Sequence, residues 1–125
     1  MTRNFIIMAA VFGFLGVGAG AFGTHALRAT LEASGRYDTY QTAVQYHLLH
    51  ALALLGAAWV AERYPGRWST LAGWLLTAGI LLFSGSLYTL AIGNLSFMGA
   101  VAPLGGVCLL LGWLALGIAA WRAQA

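Results

Sequence analysis

The chain reads as an all-α membrane protein, an antiparallel four-helix transmembrane bundle with a short interfacial helix between spans one and two. Three stretches carry that reading. Residues 68–121 hold no Asp, Glu, Lys or Arg. As one helix they would run roughly 80 Å, against a hydrocarbon core of about 30 Å, so they must cross twice. The turn belongs near Gly93-Asn94. Residues 4–27 and 39–61 are also free of charge, and each is long enough for one span of about 20 residues. The expected spans are 4–23, 40–61, 68–92 and 98–121, a single integral domain over 1–125.

Span one has a small face: Ala9, Gly13, Gly16, Gly20 and Gly23 recur at intervals of four and three. Lipid provides no hydrophobic drive between helices, so close backbone approach along such a stripe supplies the packing. Arg3, the apolar stretch and the small residues 18–21 also mimic a secretory signal. Its removal would leave three helices and split the termini across the membrane, so the span is expected to stay.

Residues 25–34 predict a short helix at the interface, with Leu27 and Leu31 toward the bilayer and Arg28, Glu32 and Arg36 repeating on the wet side. Gly35 is its expected stop. Asp38 followed by Gln41 has capping-box spacing for span two. After it, Pro65-Gly66 breaks the chain into a short turn. Span three follows. Span four repeats the small-residue pattern through Gly105, Cys108, Gly112, Ala115 and Ala119, and Pro103 is expected to bend its first turns. Tyr37, Tyr40 and Tyr88 fall near one boundary and Trp59, Tyr64, Trp68 and Trp121 near the other, as an aromatic belt requires.

Six arginines and no lysine, against three acids, give a net charge of +3. They lie scattered at loops and ends, not on one basic face, which excludes nucleic acid as a partner. If both termini share a side, that side gathers Arg3, Arg63, Arg67 and Arg122, and the other only Arg28 and Arg36. The bias places both termini in the cytoplasm. Cys108 is the sole cysteine and reads as a packing residue.

Polar side chains gather in the outer half: His25, Gln41, Gln45, His47 and His50, then Ser84, Ser86, Tyr88 and Thr89. At about 1.5 Å per residue, His50 and Ser84 reach nearly the same depth. A histidine near mid-bilayer is costly, which makes His50 the sharpest candidate. It serves either as a ligand group or as a clip bonded to Ser84, Ser86 or a carbonyl freed by Pro103. No metal site is expected: His47 and His50 supply half a ligand set, and His25 lies nearer the surface. Nor is there a matched pair of histidines for haem. Ser84-Gly85-Ser86 lacks the surroundings of a hydrolase elbow. No cofactor is expected.

Four strings stand in order: residues 20–27 (GAFGTHAL), 40–53 (YQTAVQYHLLHALA), 83–88 (FSGSLY) and 102–106 (APLGG). Together they resemble the bacterial YgdD-like proteins, domain-of-unknown-function family 423, related to eukaryotic transmembrane protein 256. Ala102 stands where that family often has Thr. The resemblance implies a small multi-pass protein of the bacterial inner (plasma) membrane and supplies no activity.

Two functions follow as expectations. The leading one is a non-enzymatic accessory or scaffold component that binds a membrane-protein partner, a second copy of itself, or lipid. Its packing would rest on Gly13, Gly16, Gly20, Gly23, Gly105 and Gly112. The alternative is binding or passage of a lipid, quinone-like or small polar ligand through His25, Gln45, His50, Ser84, Ser86 and Tyr88. An enzyme using His50 as acid–base group lacks a nucleophile or metal to complete it.

Overall fold

The computed structural model describes residues 1–123. Its helices are α1 (Thr2–Thr24), α2 (Arg28–Ala33), α3 (Tyr37–Arg63), α4 (Arg67–Gly79), α5 (Gly85–Gly93) and α6 (Ala102–Arg122). Four segments are long and apolar enough to cross a bilayer: Thr2–Thr24, Tyr37–Arg63, Arg67–Gly93 and Ser96–Arg122. The turn between spans three and four falls at Asn94, which adopts a left-handed conformation at φ 56°.

Spans two and three form the centre. Half of each is buried, against 17% of span one and 28% of span four. Span one lies along α3, and α6 lies along α4 on the far flank. The two flanking helices leave broad apolar faces to lipid, where phenylalanine and leucine cost nothing. The principal core joins Phe5, Leu54, Ala57, Leu76, Ile80 and Leu109.

The glycine stripes do the close packing, though not at every position. A Cβ on Gly16 would lie 2.6 Å from Leu48, and one on Gly23 would lie 2.2 Å from the Tyr40 ring; Gly20 allows 3.4 Å to Val44. Gly13 differs, with nothing within 4 Å. In α6 the buried stripe is Ala102, Gly105, Leu109, Gly112, Ala115 and Ala119. Leu109 takes the place expected of Cys108, because it fills the notch left by Gly79.

Several local expectations are corrected. Helix α2 forms and closes on Gly35 at φ +72°. Its end is a Schellman motif, with Gly35 N–H bonding the Glu32 carbonyl and Arg36 N–H the Leu31 carbonyl. Leu31, however, is 2% exposed and packs on Tyr40, Val44 and Ala91. Inward burial wins because the bundle offers it a fitted pocket. Tyr40 and Tyr88 pack in the same place, so they belong to the core and not to the belt. The Tyr40 hydroxyl donates to the Ala19 carbonyl and ties α3 to α1.

Helix α3 starts one residue before Asp38, with Arg36 as its N-cap and no side-chain cap. The Asp38–Gln41 capping box therefore does not form. Pro103 sits in the first turn of α6, just after a 3₁₀ turn gives way to the α-helix. There the missing N–H would be unsatisfied in any case, so proline is accommodated. Residues Ser96–Ala100 precede it as a 3₁₀ turn.

Span three is not a uniform α-helix. Ile80–Ser84 forms a π-helical turn, and the Gly85 N–H reaches back to the Ile80 carbonyl. The wider turn meets α6 where Gly105 removes a side chain: a Cβ there would lie 2.2 Å from the Phe83 backbone nitrogen. Such turns concentrate at functional sites.

Candidate functional site

The residues around the π turn form two adjacent polar groups. The first is centred on His50, midway along α3 and 3% exposed. Its Nδ1 lies 2.8 Å from the Tyr46 carbonyl. A carbonyl only accepts, so Nδ1 carries the proton and Nε2 offers a lone pair. Trp113 of α6 donates its indole N–H to that lone pair across 3.0 Å. His50 is thereby held as a neutral imidazole with both nitrogens engaged. Its partner is Trp113, not Ser84, Ser86 or a carbonyl freed by Pro103.

The second group joins α3 to α5. His47 Nδ1 lies 2.9 Å from the Tyr88 hydroxyl. Nε2 of His47 is buried without a hydrogen-bond partner among the described residues. The Phe12 backbone lies alongside the ring. Phe12 also meets the imidazole edge-on, with ring centroids 5.9 Å apart.

The hydroxyls serve the helices. Ser84 Oγ donates to the Ala43 carbonyl at 2.8 Å and so bridges span three to α3. Ser86, Thr77 and Thr89 each donate to a carbonyl of their own span. The expected group of six therefore divides. His50, Ser84, Ser86 and Tyr88 lie in the bundle near the π turn, whereas His25 and Gln45 are exposed and stand apart. His25 stands at the end of α1, and Gln45 points away from His50 around α3, as their spacing on one helix implies. Trp113 was missed because nothing in its own surroundings marks an indole as a partner for a residue 63 positions away.

Beside His50 a groove of about 550 Å³ opens between α3, the π turn and α6. Tyr46, Phe83, His50 and Trp113 wall it, and Pro103 and Gly106 form its rim. The Tyr46 and Phe83 rings stand 4.6 Å apart, and Tyr46 lies parallel to His50 at 5.9 Å. No charged side chain lines the groove. Since the His50 nitrogens and the Trp113 N–H are already bonded, the Tyr46 hydroxyl is the side-chain polar handle left to a guest. Among the described residues no group of three or more His, Cys, Asp or Glu is placed to hold a metal ion.

A family model described as "Protein of unknown function (DUF423)" matches residues 19–106. The stretch includes α3, the π turn and the groove's rim. Among curated proteins, the UPF0382 membrane protein YwdK of Bacillus subtilis is 46% identical over 120 residues, covering 94% of this chain and 96% of its own. The UPF0382 inner membrane protein YgdD of Escherichia coli K12 is 41% identical over 123 residues, covering 98% and 93%. No solved structure matches.

Proposed function

The chain belongs to the DUF423 family, and from that premise we propose that this multi-pass membrane protein is a non-enzymatic component that binds a neutral, ring-headed amphiphile in the groove beside His50. The observation that carries this reading is the groove itself, open to the bilayer, walled by aromatic rings and lined without charge. Stacking against Tyr46, Phe83 and Trp113 suits a planar head, and aromatic pairs of this kind add about 0.5–1.5 kcal/mol beyond burial. A phosphate head would lie unpaired there at a cost of several kcal/mol. A quinone-like ring with a carbonyl for the Tyr46 hydroxyl satisfies both conditions.

Gly106 supplies the test. A Cβ there meets only Phe83 Cδ2, at 3.8 Å, so a leucine has room to fill the groove without moving backbone. Native mass spectrometry of the purified protein with a decyl-tailed 1,4-benzoquinone should give a one-to-one adduct. Gly106→Leu should remove it, and Gly13→Leu on the opposite flank should not. An adduct that survives Gly106→Leu, or none in the parent protein, would rule the site out.

A second reading, an accessory component that docks a partner helix or a second copy, is favoured by Gly13. It lines a separate apolar groove of about 480 Å³ between α1 and α3. Gly13→Cys in native membranes should yield a discrete crosslinked species; monomer alone would dismiss the idea. In both readings the termini face the cytoplasm, on the strength of the arginine bias. Cysteine labelling of each terminus in intact cells measures that directly.

A further inference from the structure

We infer that the end of the bundle carrying Arg67 and Arg122 holds a phosphate-binding cleft, separate from the groove beside His50. The cleft lies between the start of α4 and the end of α6, has a volume of about 160 Å³, and is lined by Tyr64, Arg67, Trp68, Ser69 and Arg122 among others.

Four features point to an anion. The indole N–H of Trp68 is buried without an acceptor among the described residues. Such a donor is rare unless an unseen acceptor satisfies it. Helix α4 begins after Gly66, which has no side chain to cap it. The Ser69 hydroxyl donates to the Gly66 carbonyl at 3.0 Å and so does not cap either. The first-turn N–H groups are left open, and the helix dipole adds partial positive charge there. Two guanidinia complete the set. That of Arg67 lies over the Trp68 ring, 5.5 Å from its centroid, and Arg122 reaches the cleft from α6. Neither is ion-paired among the described residues, where the one salt bridge is Arg28–Glu32.

Among the described residues the opposing groups are few. Glu62 lies on the preceding turn and does not line the cleft, and the carbonyl end of α6 is offset by Arg122 itself. The ligand chemistry is a phosphate monoester or diester, whose phosphoryl group the cleft has room to admit. Two sources share that chemistry: an anionic lipid head in the adjoining leaflet, and free phosphate from the aqueous side. Guanidinium forks suit either one.

The experiment is native mass spectrometry of the full chain released from nanodiscs of phosphatidylglycerol mixed with phosphatidylcholine, repeated with inorganic phosphate in solution. The expected result is one retained phosphatidylglycerol. Its occupancy should fall about tenfold in Arg67→Gln or Arg122→Gln, the scale of a lost charge-assisted contact. It should fall similarly in Trp68→Phe, which keeps the ring and removes the N–H. Arg3→Gln, an arginine of the same end outside the cleft, should leave it unchanged. Displacement by millimolar inorganic phosphate would assign the cleft to the free ion and keep the inference. Equal retention in the parent and in all three cleft variants would overturn it, as would a loss in Arg3→Gln as large as in Arg67→Gln. Trp68→Phe preserves charge and an aromatic ring, so it keeps the question answerable should an arginine variant fail to fold.

Discussion

The indole N–H of Trp113 donates to Nε2 of His50 across 3.0 Å, joining α6 to α3 at mid-membrane. That contact makes His50 a fastener before it is anything else. Trp113→Phe keeps a ring and removes the donor, leaving a buried acceptor in an apolar wall. Interhelical bonds in bilayers are worth about 0.6–1.7 kcal/mol, and the variant should lose about 1 kcal/mol. His50→Ala should lose more, since it also opens a cavity. Steric-trap or thermal unfolding in detergent reads both, and a double-mutant cycle should show coupling. Strict additivity would mean that the bond contributes nothing.

Tyr88→Phe should destabilise more than a hydroxyl deletion usually does. The Tyr88 hydroxyl is the partner of His47 Nδ1, and Nε2 of the same ring already lacks one. Without it, a 6%-exposed imidazole has neither nitrogen bonded. A loss of about 1–3 kcal/mol is expected. A neutral outcome would place water or another group within reach of the ring.

Gly105 and Gly106 are adjacent and should respond in opposite ways to alanine. At Gly105 the new Cβ would lie 2.2 Å from Phe83 backbone, which cannot rotate away; at Gly106 it finds an ordinary contact at 3.8 Å. Gly105→Ala should cost about 3 kcal/mol or abolish folded yield, with Gly106→Ala near neutral. Size-exclusion profiles and melting curves of the two variants decide it.

Gly35→Ala addresses the connection between the first two spans. The residue holds φ +72° in the Schellman turn that ends α2, a conformation that costs an L-residue about 1 kcal/mol. Asn94 occupies the same region at φ 56°, so Asn94→Gly should be tolerated or mildly stabilising. Equal effects at the two positions in thermal unfolding would contradict this account.

Charge spacing made the spans legible because leaving an arginine in hydrocarbon is costly, and the bounds 4–23 and 68–92 fall inside the helices that form. Gly35 was legible for a similarly local reason, its freedom at positive φ. Direction around a helix was legible in the small stripe of Gly16, Gly20 and Gly23 but not at every polar or apolar position. His25 and Gln45 share the right end of the bundle with His50 but face outward, and Leu31 turns inward although its helix looked like one lying on a surface. The π turn left no compositional mark, since Ile80–Ser84 is as apolar as its neighbours apart from the serine. The Trp113–His50 bond joins α6 to α3 across 63 positions, whereas the small residues Gly105 and Gly112 pack α6 against span three.

The π turn places one residue more in its circuit than an α-helix would. Deleting a single residue from 80–84 would restore a regular ladder and satisfy every backbone group. Because the wide turn absorbs that residue, everything beyond would keep nearly the same azimuth, with Tyr88 still toward α3, and only the bulge that meets the notch at Gly105 would be withdrawn. The span would still cross the bilayer, with the hydropathy of the parent. Loss of fold from so conservative a deletion would show that this protein is held by the fit of one bulge into one notch, a property invisible to any measure of how greasy a segment is.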